Sequence, residues 1–258
     1  MLERPFWYAA AESLTANQTI YDRRIEIRPT ADFYARAMAL YTASGAVAGR
    51  LRRADGAYFT GPDFFHLDGF VHSSGNARWT PFLRQMRYPA NGAFVYDLQD
   101  LGGAGDATIY PVLLGVERYS ELARAPHPAK YIEEDYSIRI QATITGAGTQ
   151  LFSIPLFCDT GDAFAIRTMS WAAVGTAPTT MHFRLWDYND QLFSNTWVPL
   201  RALFDGPLTT NSPYPATPFP EMVIPPNGRF KLDLWNRTEA GPFTVDLTFG
   251  GVRMVGVV

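Results

Sequence analysis

The sequence predicts an all-β protein made of two tandem antiparallel β-sandwich domains of the jelly-roll kind. Three observations predict this fold class: a long internal repeat, strand-like alternation of apolar and polar residues, and the composition. The 258-residue chain contains 18 Phe, 13 Tyr, 6 Trp, 19 Pro and 21 Gly. That mixture favours many short strands joined by turns.

The evidence for two domains is a motif that occurs twice. Met86–Leu98 (MRYPANGAFVYDL) returns 136 positions later as Met222–Leu234 (MVIPPNGRFKLDL), and Gly115 returns at the same distance as Gly251. Landmarks nearer the start of each copy repeat at slightly shorter distances, as expected when surface loops accept insertions. A repeat of this length implies two copies of one whole domain, related by internal duplication.

The predicted domains cover residues 1–125, which include an N-terminal arm, and residues 130–258. The segment Leu122–Lys130 joins them and contains two prolines. Proline stiffens a short connection towards an extended conformation, so we expect a tight link between the domains. Each half has the usual size of a single domain.

Alternating residues predict strands in both halves. Tyr136–Ile144 and Phe230–Leu234 show the two-residue period of a half-buried strand, and Phe94–Leu98 matches in the first half. Asp32–Leu40 contains alanines and a methionine that favour a helix. Because its counterpart Asp162–Trp171 is strand-like, we predict a strand for both.

The repeated Pro-x-Asn-Gly blocks predict tight turns. Proline fixes an extended approach, and Asn91 and Asn227 tolerate the positive φ that such turns require. Seven or eight such strands at a spacing of about 8–15 residues, without crossover helices, indicate an antiparallel sandwich of the jelly-roll kind. A helical turn is predicted over Glu117–Arg124.

Composition and charge disfavour several functions. The net charge of −3 predicts no basic surface for nucleic acid. No apolar stretch is long enough to span a bilayer, so no membrane partner is expected. The N-terminus lacks a secretion signal and Cys158 is the single cysteine. These features predict folding in a reducing cytoplasm, with Cys158 as a buried, inert thiol.

The sequence carries none of the motifs that mark a catalytic or metal site. The four histidines fall in no zinc-binding pattern, and the acidic loops Asp159–Asp162 and Asp187–Asp190 lack the full ligand series of a calcium loop. Nucleophile elbows, phosphate loops and dinucleotide fingerprints are missing as well. We therefore expect no enzyme activity, no cofactor and no metal. A pair of glycosidase carboxylates on separate strands would not be visible as a sequence motif, because the sequence does not give the distance between them.

The first candidate interaction residues lie at the N-terminus. Phe6, Trp7 and Tyr8 are three consecutive aromatic residues in a segment without clear periodicity. Exposed apolar patches usually mark interfaces. We therefore expect residues 1–12 to form an arm that docks on another subunit or on the second domain.

Further candidates are aromatic residues in loops. Trp79 and Trp197 lie in irregular segments beside prolines, and Tyr214 and Phe219 belong to the proline-rich segment 205–220. Aromatic side chains in loops anchor protein interfaces or stack on sugar rings. A loop of this length tends to be functional or to embrace a neighbour. The alternative is that loop tryptophans plug the ends of the sandwiches.

The order of these motifs resembles virion proteins of tailed bacteriophages. The pattern has Asp-x-Phe followed by Arg-x-Met, a strand–turn–strand, then Ile224–Asn236, and closes on Val245–Arg253. In that family, small β-sandwich domains build neck, collar, tail-associated or capsid-decorating layers. The resemblance covers most of the second half and, more weakly, the first. It rests on turns and strands, so no site residue carries over.

The resemblance implies a structural virion protein that is made in the host cytoplasm and then joins the particle. Its expected partners are other virion proteins and copies of itself in a homo-oligomer. The alternative is a carbohydrate-binding β-sandwich module that uses loop aromatics such as Trp79 and Trp197, with a glycan as its partner.

Overall fold

The chain forms two compact units, Met1–Leu122 and Ala123–Val258. Within the described part of the chain, the elements with defined bounds are seventeen β-strands, and each strand pairing is antiparallel. The predicted all-β, antiparallel fold class is confirmed. The computed structural model describes residues 2–42, 47–52, 56–58, 63–66, 80–102, 107–119, 131–174, 181–200, 217–237, 240 and 242–256.

The first unit contains two sheets. Sheet A has the strand order β1-β9-β4-β7, with β2 also paired to β9, and sheet B has the order β3-β8-β5-β6. The strands are β1 (Leu2–Ala9), β2 (Glu12–Leu14), β3 (Thr19–Glu26), β4 (Asp32–Thr42), β5 (Val47–Arg52), β6 (Phe65–His66), β7 (Thr80–Tyr88), β8 (Ala93–Asp100) and β9 (Ala107–Tyr119).

The second unit repeats this order strand for strand. Sheet C has the order β10-β17-β12-β15 and sheet D the order β11-β16-β13-β14. Eight main strands in two four-stranded sheets connected in this order form a jelly roll. The strands are β10 (Tyr131–Ile144), β11 (Gln150–Leu156), β12 (Ala163–Val174), β13 (Met181–Trp186), β14 (Val198–Pro199), β15 (Thr217–Ile224), β16 (Phe230–Asn236) and β17 (Phe243–Gly256).

The core of the first unit lies between sheets A and B. Alternate residues of a strand point to opposite faces, so each strand contributes every second side chain to it. Tyr8 of β1 packs edge-on against Phe33 of β4, with ring centroids 4.7 Å apart, and Phe94 stacks on Tyr96 within β8. The buried cluster comprises Phe6, Tyr8, Leu14, Ile20, Ile25, Ile27, Phe33, Ala35, Met38, Leu40, Val47, Leu51, Tyr88, Phe94, Tyr96, Leu98, Ile109 and Leu113.

The N-terminal segment is a core strand, and the prediction of a docking arm is wrong. Phe6, Trp7 and Tyr8 lie in β1, pair with β9, and each has 0% of its surface exposed. Phe6 and Tyr8 belong to the core cluster, while Trp7 points to the opposite face of sheet A. A strand buried on both faces shows no alternation of polar and apolar residues. For this reason its sequence did not resemble a strand.

Other local predictions have mixed outcomes. Asp32–Leu40 is a strand as predicted, within β4. Asn91 and Asn227 have φ angles of 59° and 56°, which confirms the tight turns. The helical turn expected from Glu117 is wrong where the chain is described, because residues 117–119 belong to β9 and pair with β1.

Both units contain the same bulge in their third main strand. Arg36 in β4 and Arg167 in β12 are extra residues opposite Gly115 and Gly251. A Cβ added to either glycine would lie 2.2 or 1.9 Å from a carbonyl oxygen of the neighbouring strand. The repeated glycines therefore allow two backbones to approach closely at the bulge. The common origin of the two units stays a prediction.

Candidate functional site

An open groove of about 260 Å³ lies on the outer face of sheet D, the face directed away from the core of the second unit. It combines aromatic side chains of β11 and β13 with charged side chains from β13, β16 and the turn that follows β13. We refer to this feature as the sheet D groove. It is lined by Phe152, Ser153, Arg184, Trp186, Asp190, Lys231 and Asp233.

Strand alternation places these side chains on one face. In β16, Phe230, Leu232 and Leu234 are buried in the core, so Lys231 and Asp233 point outwards. Cross-strand pairing completes the arrangement. Arg184 of β13 lies opposite Asp233, and Trp186 lies opposite Lys231. Residues distant in sequence thereby become neighbours.

Asp233 is the polar centre of the face. Its side chain is 4% exposed. One carboxylate oxygen accepts a hydrogen bond from the backbone N–H of Ser153 at 2.9 Å. The other accepts from the Trp186 indole at 2.7 Å and from the Arg184 guanidinium at 3.1 Å. A buried carboxylate needs such donors to offset the loss of water, and here they also fix the positions of two side chains that line the groove.

The amide of Ser153 reaches Asp233 because of a second bulge. The pairing of β11 with β16 shifts between Leu151 and Ile154, and Ser153 has a φ of 56° in the left-handed region. The bulge turns the N–H of Ser153 towards the carboxylate. Phe152, the residue before it, is 56% exposed at the groove.

A row of rings continues from the groove across the sheet. Phe152 and Trp197 have ring centroids 6.4 Å apart, and Trp197 and Trp235 have centroids 5.5 Å apart. The Arg184 guanidinium lies 4.0 Å from the Trp197 ring centre, within the range of a cation–π contact. The face is therefore both aromatic and capable of hydrogen bonding.

The charges of the groove cancel in pairs. Arg184 is paired with Asp233, and the ammonium of Lys231 lies 2.5 Å from a carboxylate oxygen of Asp190. Lys231 and Asp190 are both well exposed, with side chains at 43% and 66%. The groove thus presents hydrogen-bonding groups without a net charge.

The first unit carries a related face on sheet B. Asp97 occupies the position of Asp233, with 0% of its side chain exposed, and accepts a 2.8 Å hydrogen bond from the backbone N–H of Asp22. Asp22 likewise lies in a bulge, between Ile20 and Arg23, and has a φ of 55°. Arg50 and Arg52 both donate to Asp97. A carboxylate held by a bulge amide and by cross-strand donors is therefore common to both units.

The two faces differ in the residues around the carboxylate. Arg52 stands at the position of Trp186, and its hydrogen bond to Asp22 raises the pKa of the guanidinium. Arg50 lies 4.4 Å from the ring centre of Phe64 and 5.6 Å from that of Tyr58. The sheet B face is accordingly richer in arginine, and the sheet D face is richer in tryptophan.

The residues proposed from sequence have separate locations. Trp197 is half-buried in the aromatic row of sheet D. Phe219 lies in β15, where its side chain is not described. Trp79 and Tyr214 lie outside the described residues. Phe6, Trp7 and Tyr8 are buried in strand β1, as reported above.

Most of the groove residues could not be recognised from the sequence. Phe152, Arg184, Trp186 and Asp233 were not proposed as site residues, because each lies in a strand or beside a bulge. The available signal was alternation in β16, which directs Lys231, Asp233 and Trp235 to one face. Only the pairing of β16 with β11 and β13 shows that the other residues join them.

The described residues contain no group of three or more His, Cys, Asp or Glu side chains arranged to hold a metal ion. None of their helices is long and apolar enough to cross a bilayer.

Comparison with known proteins yields distant structural likenesses. No family model matches the chain, and no curated protein matches it by sequence. Among solved structures, it is similar to one described as the triple jelly roll fold and turret assembly in an archaeal virus, with 13% identity, 95% of this chain covered and a TM-score of 0.29. For infectious bursal virus-derived T=1 particles, the identity is 11% over 98% of this chain, with 70% of the other chain covered and a TM-score of 0.24.

A third likeness is to the vicilin of hazelnut, Corylus avellana. The identity is 9%, with 95% of this chain and 87% of the other covered, and the TM-score is 0.22. The chain spans 60% of the length of the archaeal virus protein. Scores this low carry no argument about function, so the assignment below rests on the chain's own features.

Proposed function

We propose that the chain is a structural component of a virus particle and acts through contacts between subunits. The observation that carries the proposal is the jelly-roll strand order, present in each of the two units. Jelly rolls serve as building blocks of viral capsids, and also of lectins and cupins. The resemblance to tailed-phage virion proteins favours the first of these uses and suggests a neck, collar, tail-associated or capsid-decorating position.

A surface suited to such contacts lies at the start of β10. Tyr131 and Ile132 are 41% and 57% exposed, and Glu133 to Asp135 are exposed as well. β10 lies at the end of sheet C and pairs with β17 along one edge only, within the described residues. An edge strand with exposed apolar side chains is a surface on which another chain can dock.

The test is the mass of the full chain in solution, measured by light scattering over a range of concentrations. We expect an oligomer that dissociates when Ile132 is replaced by Glu. Ser137→Glu is the matched control, because Ser137 is exposed on the same strand. A monomer at every concentration, with no binding to purified phage particles, would refute the proposal.

The alternative from sequence, a carbohydrate-binding module, has one specific observation in its favour. Trp197 belongs to an aromatic row that continues into the sheet D groove. A virion protein can also bind sugars, so the two functions do not exclude each other.

A further inference from the structure

We propose that the sheet D groove binds neutral hexose residues, with Phe152 and Trp186 as its stacking surfaces. The inference concerns one face of the second unit and does not depend on the role of the chain in a particle. It also differs from the sequence-based expectation of a sugar site built on loop tryptophans. Its stacking residues belong to strands, Phe152 to β11 and Trp186 to β13.

The aromatic walls favour a ring-shaped ligand with an apolar face. Phe152 of β11 is 56% exposed and Trp186 of β13 is half-buried, and both line the groove on either side of β16. Aromatic side chains offer rigid, amphipathic contact area at low entropic cost. The C–H face of a pyranose is apolar, whereas its rim of hydroxyl groups is polar. A sugar ring therefore matches a groove with aromatic walls and a polar floor.

The polar groups favour a neutral ligand. Arg184 and Lys231 are each paired with a carboxylate, at 3.1 and 2.5 Å. A phosphate or a sugar acid would have to compete with Asp233 or Asp190 for these cations. Hydroxyl groups can donate to the carboxylates and accept from the cations, so they gain bonds without breaking either pair.

The groove is organised before any ligand arrives. Asp233 holds both the Trp186 indole and the Arg184 guanidinium, and Arg184 packs on the ring of Trp197. Side chains fixed in this way lose little rotamer freedom on binding. The volume of about 260 Å³ is slightly below the range of roughly 300–1,000 Å³ typical of drug-sized pockets. We therefore expect the open groove to hold one or two sugar residues of a longer chain.

The first unit provides an internal control. Tyr21 matches Phe152 next to the bulge, and it is similarly exposed, at 58%. At the position of Trp186, however, this unit has Arg52, which is bound to both Asp22 and Asp97. The sheet B face thus has a charged group where sheet D has the Trp186 ring, and its further rings Phe64 and Tyr58 lie against Arg50. We therefore expect this face not to bind neutral sugars.

The test uses the full chain and a panel of maltohexaose, cellohexaose and mannohexaose, with the corresponding polysaccharides as a second arm. Binding is followed by isothermal titration calorimetry and by tryptophan fluorescence. We expect at least one neutral sugar to bind with a Kd between roughly 10 μM and 1 mM. If only the polysaccharides bind, the ligand is a polysaccharide. If the hexasaccharides bind as tightly as the polysaccharides, free oligosaccharides are ligands as well.

The decisive comparison is Phe152→Ala against Tyr21→Ala. We expect Phe152→Ala to weaken sugar binding by about tenfold or more, equivalent to about 1.4 kcal/mol, and Tyr21→Ala to leave it unchanged. Trp186→Phe, which keeps a ring but loses the bond to Asp233, should give an intermediate loss. Circular dichroism of each variant verifies that the fold is intact.

Three results would overturn the inference: no binding of any neutral sugar, equal binding by Phe152→Ala and the unaltered chain, or selective binding of acidic polysaccharides such as alginate. A change in oligomer mass for Phe152→Ala without any sugar binding would identify the groove as a subunit contact instead. The assembly test with Ile132→Glu is independent, so either proposal can fail while the other stands.

Discussion

The indole of Trp186 donates a hydrogen bond to Asp233 across two neighbouring strands, at 2.7 Å. At the same register position of the first unit, the guanidinium of Arg52 donates to Asp97 at 2.9 Å. A buried carboxylate is thus kept in both sheets while its donor changes from an uncharged to a charged group. The scaffold is shared, and the chemistry of its outer face is not.

Replacing Asp233 by Ala should lower the free energy of unfolding by about 2–4 kcal/mol, because three donors lose their acceptor in a poorly hydrated place. Urea unfolding followed by tryptophan fluorescence measures the change. Glu134→Ala, which breaks the exposed pair with Arg253, should leave the midpoint nearly unchanged. Equal effects of the two substitutions would show that Asp233 has no special structural role.

Replacing Gly115 or Gly251 by Ala should destabilise the respective unit by about 1–3 kcal/mol or more, because the added methyl group meets a backbone carbonyl that cannot rotate away. Thermal unfolding of each single variant measures the loss. Gly146→Ala is the matched control, since a Cβ there meets nothing within 4 Å. Unchanged melting of Gly115→Ala would contradict the close approach at the bulge.

Tyr8→Phe should lower stability by about 1–3 kcal/mol, although it removes a single oxygen atom. The Tyr8 hydroxyl donates to Glu117 at 2.8 Å and accepts from the backbone N–H of Arg28 at 3.0 Å. Burial, together with the charge of Glu117, raises the pKa of Tyr8. Chemical denaturation provides the measurement, with the exposed Tyr21→Phe as the control. An unchanged stability of Tyr8→Phe would show that the two hydrogen bonds of the Tyr8 hydroxyl contribute nothing net to folding.

Asp32 should contribute to stability in a pH-dependent way. Its carboxylate accepts from the backbone N–H of Ala90 and from Arg87, and these contacts hold the pKa of Asp32 below its usual value. The stabilisation is therefore complete above the unfolded-state pKa of 3.8. It disappears as the pH falls through the lower, folded-state pKa.

Asp32→Asn tests this expectation. The stability difference between the variant and the unaltered chain should be constant from pH 7 to about 5 and should shrink below pH 4. Urea midpoints at half-unit intervals give the profile. A difference that stays constant down to pH 2 would show that ionisation of Asp32 plays no part.

Sequence patterns predicted the fold where local chemistry determines it. The Asn91 and Asn227 turns follow from residues that tolerate positive φ, and half-buried strands such as β16 follow from alternation. β1 could not be recognised in this way, because its partner strand β9 is more than a hundred residues away and both of its faces are buried. Glu117 favours a helix locally, but in the structure it is a strand residue because β9 pairs with β1.

The site was less accessible to prediction than the fold. Trp197 was found because it stands out in an irregular segment, whereas Trp186 and Asp233 look like ordinary strand residues. That they meet on one face depends on the register between β13 and β16, which the sequence does not state. The bulge at Ser153 was equally hidden, since serine carries no particular preference for a positive φ.

The pairing of an inserted arginine with a facing glycine has a consequence for how this fold can diverge. Arg36 adds a residue to β4 only because Gly115 leaves room for the displaced backbone, and Arg167 depends on Gly251 in the same manner. Deleting residue 36 or 167 would shift β4 or β12 out of register with its neighbour, and a side chain at position 115 or 251 would meet the bulged backbone. In related chains, the extra residue and the facing glycine should therefore be kept or lost together, even where the residues of the outer faces differ.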